Sequence, residues 1–204
     1  MRGGVMRVVD GLNELESMVG HEVGTSEWFD IDQGMVTNFS ELTGDFQWIH
    51  LDANRANREL PFGGTIVQGF FTLSLIPMFR NQILEIRGVS RLINYGVNRV
   101  RFPEVVQIPS RVRGVQTVVS ATRQESKTLR VQSSFLVEIE GKVKPACVAE
   151  TVTLVYARVS LANSIRAIAL RCTASGPSAN RRVLVCAQAS ARPKSSETPP
   201  PPWI

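Results

Sequence analysis

The sequence predicts a single α+β domain in which one long buried helix is followed by about four antiparallel strands. The chain has 204 residues, which is enough for one domain with a full core. Segment 65–86 is apolar nearly all round, as is typical of a buried helix. Beyond Gly88 the apolar period shortens from that of a helix to the two-residue alternation of strands. We take these changes of period as the boundaries of the main elements.

Two short elements are predicted near the N-terminus. Apolar side chains recur with helical spacing over residues 12–19, and Gly20 follows them, so a short amphipathic helix is predicted there. Residues 25–31 are predicted to form a brief extended segment. Residues 1–10 show no pattern and are assigned to an N-terminal extension.

A second helix is predicted to begin after Asp32, whose side chain suits an N-cap, and to end at Gly44, a residue type favoured just beyond a helix C-terminus. Asp45 would then emerge directly past the helix end. Asp52 is predicted to cap another short helix that runs through Ala56, which leaves His50 on the connection between the two.

The long helix is predicted to open at Gly63-Gly64-Thr65. Its first N–H groups have no partner within the helix and would suit an oxyanion or a carbonyl oxygen. Gly69 lies about one turn further on and has no side chain to block a ligand. Pro77 removes one helical hydrogen bond and is predicted to kink the helix.

The second half of the chain is predicted to be sheet. Alternating apolar and polar residues and a turn at Glu140-Gly141-Lys142 indicate strands, and Gly96 indicates a bulge in the first of them. The predicted strands cover residues 91–102, 111–121, 129–139 and 147–156.

Charge separates the body of the chain from its C-terminal end. The net charge is +5, but residues 157–204 hold 7 of the 23 Lys/Arg and 1 of the 18 Asp/Glu, so residues 1–156 hold 16 and 17. A nearly neutral body gives no electrostatic support for nucleic-acid binding. Residues 158–204 are rich in Ala, Ser, Arg and Pro, and we predict a largely disordered tail.

The cysteine pattern bears on metal binding, and the hydropathy pattern bears on the cellular compartment. Three widely spaced cysteines, without a CxxC pair and with only two histidines in the chain, make a metal site unexpected. The first twenty residues lack the apolar core of a secretory signal, and no segment has the ~18 apolar residues of a membrane span. A cytoplasmic location is therefore predicted, without a membrane span.

The stretch FSELTGDFQWIH, residues 39–50, places the carboxylate of Asp45 five residues before the imidazole of His50. An acid and a base that share one water molecule must lie within hydrogen-bond reach of it, and a short loop can achieve this. Each residue also has a structural interpretation, since Asp45 could cap a turn and His50 could be a buried hydrogen-bonding histidine.

This stretch, with Ala56 six residues after the histidine, resembles the hydratase-2 motif of the MaoC-like dehydratases, or (R)-specific enoyl-CoA hydratases. Gln47 and Trp48 stand where that motif usually has Asn and Pro. With the segment LINYGVNRVRFPEVV, the chain is most similar to the nodulation protein N-like branch, over residues 11–157. The resemblance implies a hot-dog fold, in which an antiparallel sheet wraps a long central helix, and activity on acyl-CoA thioesters.

By this resemblance, Asp45 and His50 hold the catalytic water and the backbone N–H of Gly69 binds the thioester oxygen. A histidine usually precedes that glycine, whereas this chain has Gln68. The polar side chains that would line the substrate channel are Gln68, Tyr95, Asn98 and Arg101. The family pairs two hot-dog domains, so a homodimer is expected, with coenzyme A present only as part of the substrate.

The sequence leaves three functions open. The first is hydration of trans-2-enoyl-CoA to (R)-3-hydroxyacyl-CoA, or the reverse dehydration. The second is an acyl-CoA or lipid-binding hot-dog protein with little catalysis, if Gln47 and Trp48 displace His50. The third is an acyl-CoA thioesterase, because a fold does not determine its chemistry.

Overall fold

The structure is a computed structural model that describes residues 5–125 and 127–158. Six helices and eight strands lie in these ranges, in the chain order β1, α1, β2, β3, α2–α6, β4–β8. The strands are β1 (Arg7–Asp10), β2 (Glu22–Thr25), β3 (Phe29–Ile31), β4 (Leu84–Arg87), β5 (Val89–Arg101), β6 (Ser110–Glu125), β7 (Thr128–Ile139) and β8 (Cys147–Ala157). The helices are α1 (Gly11–Ser17), α2 (Gln33–Thr43), α3 (Trp48–Leu51), α4 (Ala53–Glu59), α5 (Gly69–Ser74) and α6 (Ile76–Ile83).

The main sheet has six antiparallel strands. Its order is β2-β6-β7-β8-β5, and β3 pairs with another part of β6. The four long strands match the predicted ones, and the register shift between Asn94 and Gly96 confirms the predicted bulge in β5. β5 lies at the edge of the sheet, because β8 is its partner on one side and no described strand pairs with the other. Ile93, Tyr95 and Val97 of β5 are more than two-fifths exposed.

The predicted helix caps around the second helix are confirmed. The Asp32 side chain accepts a hydrogen bond from the Met35 N–H at 2.9 Å, and Gly44 ends α2 with a φ of 76°. A positive φ is easily reached only by glycine, so this residue sets where Asp45 leaves the helix. Asp52 likewise accepts from the Arg55 N–H at the start of α4.

The central helix is shorter than predicted and starts later. Gly63 and Gly64 have φ of 65° and 81°, so they form a loop, and the helix begins only at Gly69. It is broken after Ser74, where α5 ends and α6 begins with Pro77 in its first turn. Proline fits there because the first helical N–H groups need no intrahelical partner. Residues 84–86, predicted as the end of the helix, lie in strand β4.

A small parallel sheet closes the domain at the other end of α6. β1 pairs with β4 in register from Arg7 to Asp10, although residues 1–10 show no strand pattern. Val9 is the one residue of β1 that is buried, at 1% exposure. A four-residue strand with one buried side chain gives too little alternation to predict.

The core lies between α5–α6 and the concave face of the main sheet. Phe79 of α6 is fully buried and packs directly on the backbone of β6 at Gly114. A β-carbon at Gly114 would lie 2.6 Å from the β-carbon of Phe79, so only glycine leaves room for the ring.

No helix in the described ranges is long and apolar enough to cross a membrane. Of the predicted tail, residues 159–204 lie outside the described residues.

Candidate active site

Asp45 and His50 face each other beside the end of α2. The Asp45 Oδ2 atom lies 3.9 Å from the His50 Nε2 atom. The imidazole is buried, at 7% side-chain exposure, whereas the carboxylate is 36% exposed. The separation is longer than a direct hydrogen bond. One small polar molecule could therefore contact both groups from the solvent side.

The tautomer of His50 follows from its second nitrogen. Nδ1 lies 2.7 Å from the Ile66 carbonyl oxygen. A carbonyl oxygen can only accept, so Nδ1 carries a hydrogen, and neutral His50 keeps its lone pair on Nε2. That lone pair is on the side of Asp45. The pair thus presents two acceptors, a carboxylate oxygen and an imidazole nitrogen, to a small molecule that contacts both side chains.

Gln33 holds the backbone around His50 in place. Its Nε2 donates to the His50 carbonyl oxygen at 2.7 Å, and its Oε1 accepts from the Thr65 hydroxyl at 2.6 Å. The Ile66 N–H donates to the Ile49 carbonyl oxygen at 3.0 Å. Two separate segments, α2 and the loop at residues 65–66, therefore fix His50. These roles of Gln33 and Thr65 could not be predicted from the sequence, because their partners are 17 and 32 residues away and no local pattern marks them.

The two departures from the usual motif leave His50 buried at hydrogen-bond distance from the Ile66 carbonyl oxygen. Gln47 precedes α3 and its side chain is exposed. Trp48 is half-buried, and the Arg55 guanidinium lies 4.0 Å from the centroid of its ring. This cation–π contact ties the beginning of α3 to α4.

Gly69 is the first residue of α5, the position that the resemblance implies. The N–H groups in the first turn of a helix have no intrahelical acceptor, and the helix dipole makes them attractive to negative charge. The ring of Phe102, which follows β5, covers the Cα of Gly69, and a β-carbon there would lie 2.8 Å from the ring. Glycine is therefore required for this close packing.

Gln68, predicted to line the substrate channel, is buried, at 2% exposure. Its Nε2 donates to the Ser40 hydroxyl at 2.8 Å, which ties the start of α5 to α2. Its Oε1 has no hydrogen-bond partner among the described residues. The other three predicted channel residues, Tyr95, Asn98 and Arg101, are exposed on β5.

Other reactive groups of the described chain do not join the site. Cys147 is buried in β8, and burial raises the pKa of its thiol to about 11. At neutral pH the thiol is therefore protonated and a poor nucleophile. No group of three or more His, Cys, Asp or Glu side chains within residues 5–125 and 127–158 is arranged to hold a metal ion.

The fold is shared with known structures. The monoamine oxidase regulatory protein of Archaeoglobus matches 76% of this chain and 100% of its own, at a TM-score of 0.60 and 19% identity. An R-hydratase from Pseudomonas aeruginosa matches 74% of this chain and 92% of its own, at a TM-score of 0.56 and 22% identity. The fold class is that of the hot-dog dehydratases, as predicted.

Sequence similarity identifies the family. The sequence model of the protein family described as "MaoC like domain" matches residues 14–138. The 3-hydroxyacyl-thioester dehydratase Z of Mycobacterium tuberculosis is 44% identical over 147 residues, which cover 72% of this chain and 97% of that protein. Nodulation protein N of Rhizobium meliloti is 40% identical over 151 residues, covering 70% and 89%. The chain belongs to the MaoC-like domain family.

Proposed function

We propose that this protein catalyses the (R)-specific hydration of trans-2-enoyl-CoA to (R)-3-hydroxyacyl-CoA, or the reverse dehydration. The observation that carries the proposal is the 3.9 Å gap between Asp45 Oδ2 and the lone-pair nitrogen of His50. A water molecule beside the pair, within hydrogen-bond distance of both atoms, can donate one hydrogen to each group. A relative at 44% identity is named a 3-hydroxyacyl-thioester dehydratase, which is the same class of reaction.

The chemistry requires water to lose a proton as its oxygen attacks the β-carbon. His50 Nε2 takes that proton as general base, and Asp45 accepts the second hydrogen of the water and so orients it. The imidazolium then delivers that proton to the α-carbon, directly or through Asp45, so the new C–O and C–H bonds form as one O–H bond of the water and the C=C π bond break. Because Nδ1 is held by the Ile66 carbonyl, the ring cannot turn the wrong nitrogen toward the water.

Negative charge develops on the thioester oxygen during the attack. In this proposal the N–H of Gly69 donates to that oxygen, at the positive end of the α5 dipole. A preorganised donor of this kind is worth about 3–4 kcal/mol in related acyl chemistry. Coenzyme A enters only as part of the substrate.

Gly69→Ala is expected to lower kcat for hydration by about 10–100-fold. The added methyl group would lie 2.8 Å from the Phe102 ring, so either the ring or the first turn of α5 must move, and the N–H donor moves with that turn. Steady-state kinetics of this variant, of the double variant Gly69→Ala/Phe102→Ala and of the wild type measure this loss. In the double variant Gly69→Ala/Phe102→Ala the clash is absent, so part of the rate should return. Equal rates in the single and double variants would argue against this cause.

We further propose a homodimer formed through the β5 edge. This edge strand has 13 residues, and Ile93 and Val97 are 42% and 46% exposed. A long exposed edge strand presents a row of unpaired N–H and C=O groups with which a strand of a second chain can pair. Light scattering of the purified chain measures the mass directly.

The cytoplasmic location stays a prediction from the sequence.

The first experiment follows the loss of enoyl absorbance when the full chain is mixed with crotonyl-CoA and with longer trans-2-enoyl-CoA esters. Formation of the (R)-3-hydroxyacyl-CoA product is expected. Release of free coenzyme A would instead indicate the thioesterase alternative. Binding of the esters without either product would indicate the acyl-binding alternative, and would overturn the proposal.

A further inference from the structure

A cavity of about 370 Å³ lies between the central helices and the concave face of the sheet. Its volume falls within the ~300–1,000 Å³ typical of small-molecule sites. Neither Asp45, His50 nor Gly69 lines it, so it is distinct from the catalytic pair. Much of its wall is apolar and comes from both layers of the fold, including Leu73, Ile76, Leu92, Val97, Phe135 and Val152.

Arg80, in the last turn of α6, lines this cavity with its side chain half-buried. Its guanidinium donates to the Asn81 Oδ1 atom at 2.9 Å. None of the ion pairs among the described residues includes Arg80, whereas Arg111, Arg113 and Arg123 each pair with a carboxylate. Burial lowers the pKa of Arg80 below its usual value. A partly desolvated cation without an acidic partner gains from an anion that enters the cavity.

A second, smaller void of about 30 Å³ adjoins the same residue. Arg80, Leu92 and Phe135 line both spaces. Gln116, which lines the small void, is only 4% exposed, and its Oε1 has no hydrogen-bond partner among the described residues. Its Nε2 donates to the Ser133 hydroxyl at 3.2 Å. A buried polar atom without a partner is costly, so this end of the cavity is built to receive a polar group.

We propose that this cavity binds an aliphatic chain that ends in a carboxylate, with the carboxylate paired to the Arg80 guanidinium. The apolar wall contacts the chain. The small void beside Arg80 has room for one water molecule, which can donate one hydrogen to Gln116 Oε1 and the other to the carboxylate. The carboxylate thereby receives donors from both sides, and the buried amide oxygen of Gln116 is satisfied.

The position of the cavity allows two sources for such a ligand. Leu73 lies about one helical turn beyond Gly69 in α5, and Arg80 follows seven residues later in α6. A free carboxylic acid could occupy the cavity by itself. An acyl thioester with a terminal carboxyl group could also occupy it from the side of Gly69, and only this second source rests on the proposed hydratase function.

Titration calorimetry of the full chain with decanoate tests the proposal, with decan-1-ol as the uncharged probe. Wild type is expected to bind decanoate. Arg80→Met keeps the length of the side chain without its charge and should weaken decanoate binding about tenfold or more, with little effect on decan-1-ol. Arg58→Met, which removes an exposed arginine of α4, is the matched control and should leave binding unchanged.

Thermal unfolding of each variant shows whether it is folded. Absence of decanoate binding to folded wild type, or equal binding by folded Arg80→Met, would overturn the proposal. Equal weakening by Arg58→Met would show that binding follows overall charge, and would overturn it too.

A second arm identifies the source of the carboxylate. The kcat/KM for a trans-2-enoyl-CoA with a terminal carboxyl group is compared with that of the unsubstituted ester of equal length. A preference for the carboxylated ester that disappears in Arg80→Met assigns the cavity to the substrate. Decanoate binding without such a preference supports the proposal that the cavity binds a free carboxylic acid. If neither ester is hydrated while decanoate still binds through Arg80, the hydratase proposal fails and the cavity proposal stands.

Discussion

His50→Gln is expected to lower kcat for enoyl-CoA hydration by about 10²–10⁴-fold, the usual contribution of a positioned general base. Glutamine can still donate a hydrogen bond to the Ile66 carbonyl, but its amide cannot take a proton from water. Asp45→Asn should cause a comparable loss, because the amide keeps the shape of the side chain but not its charge. Steady-state kinetics that report kcat and KM separately measure both effects, and KM should change little.

The same substitution at the other histidine is the control. His21 is exposed and lies apart from the motif, so His21→Gln should retain full activity. The double variant of Asp45 and His50 should be hardly slower than either single one, because the two side chains act on one water molecule. If His50→Gln kept more than a tenth of the wild-type rate, His50 would not be the base.

Phe79→Ala is expected to lower the free energy of unfolding by about 3–5 kcal/mol, because it removes a fully buried ring from the contact between α6 and β6. For a chain of this size each kcal/mol corresponds to roughly 2–4 °C in Tm. Urea denaturation followed by circular dichroism gives the energy directly. Phe46→Ala, at a side chain that is 63% exposed, should have a much smaller effect.

Gly114→Ala tests the same contact from the sheet side. In the wild-type background the added methyl group meets the Phe79 ring and should cost about 1–3 kcal/mol. In the Phe79→Ala background the ring is absent but the β-carbon of residue 79 remains 2.6 Å from the added methyl group, so the loss should become smaller without disappearing. Additive losses in the double variant would contradict direct packing between these two residues.

Features with local causes could be predicted from the sequence. Asp32 and Gly44 mark the ends of α2 because an N-cap carboxylate and a left-handed glycine act within a few residues. Strands β6, β7 and β8 show their alternation along the chain. The proximity of Asp45 and His50 was predictable for the same reason, since only four residues separate them.

Features that depend on distant partners could not be predicted. The apolar run before Gly69 resembles a helix, yet Val67 pairs with the Val106 carbonyl oxygen and Ile66 bridges to Gln107, so this part of the chain is extended. Gln33 supports His50 only because α2 and the loop before α5 come together in the fold. The surroundings of Arg80 likewise depend on strands that lie far along the chain.

The place of β5 in the sheet also has a consequence for synthesis on the ribosome. Its only strand partner among the described residues is β8, which begins 46 residues after β5 ends, at Cys147 as against Arg101. At ~5–20 residues per second, translation of that interval takes roughly 2–9 s. During this time both edges of β5 lack a strand, so a nascent chain stalled before β8 is open to aggregation and to chaperone binding.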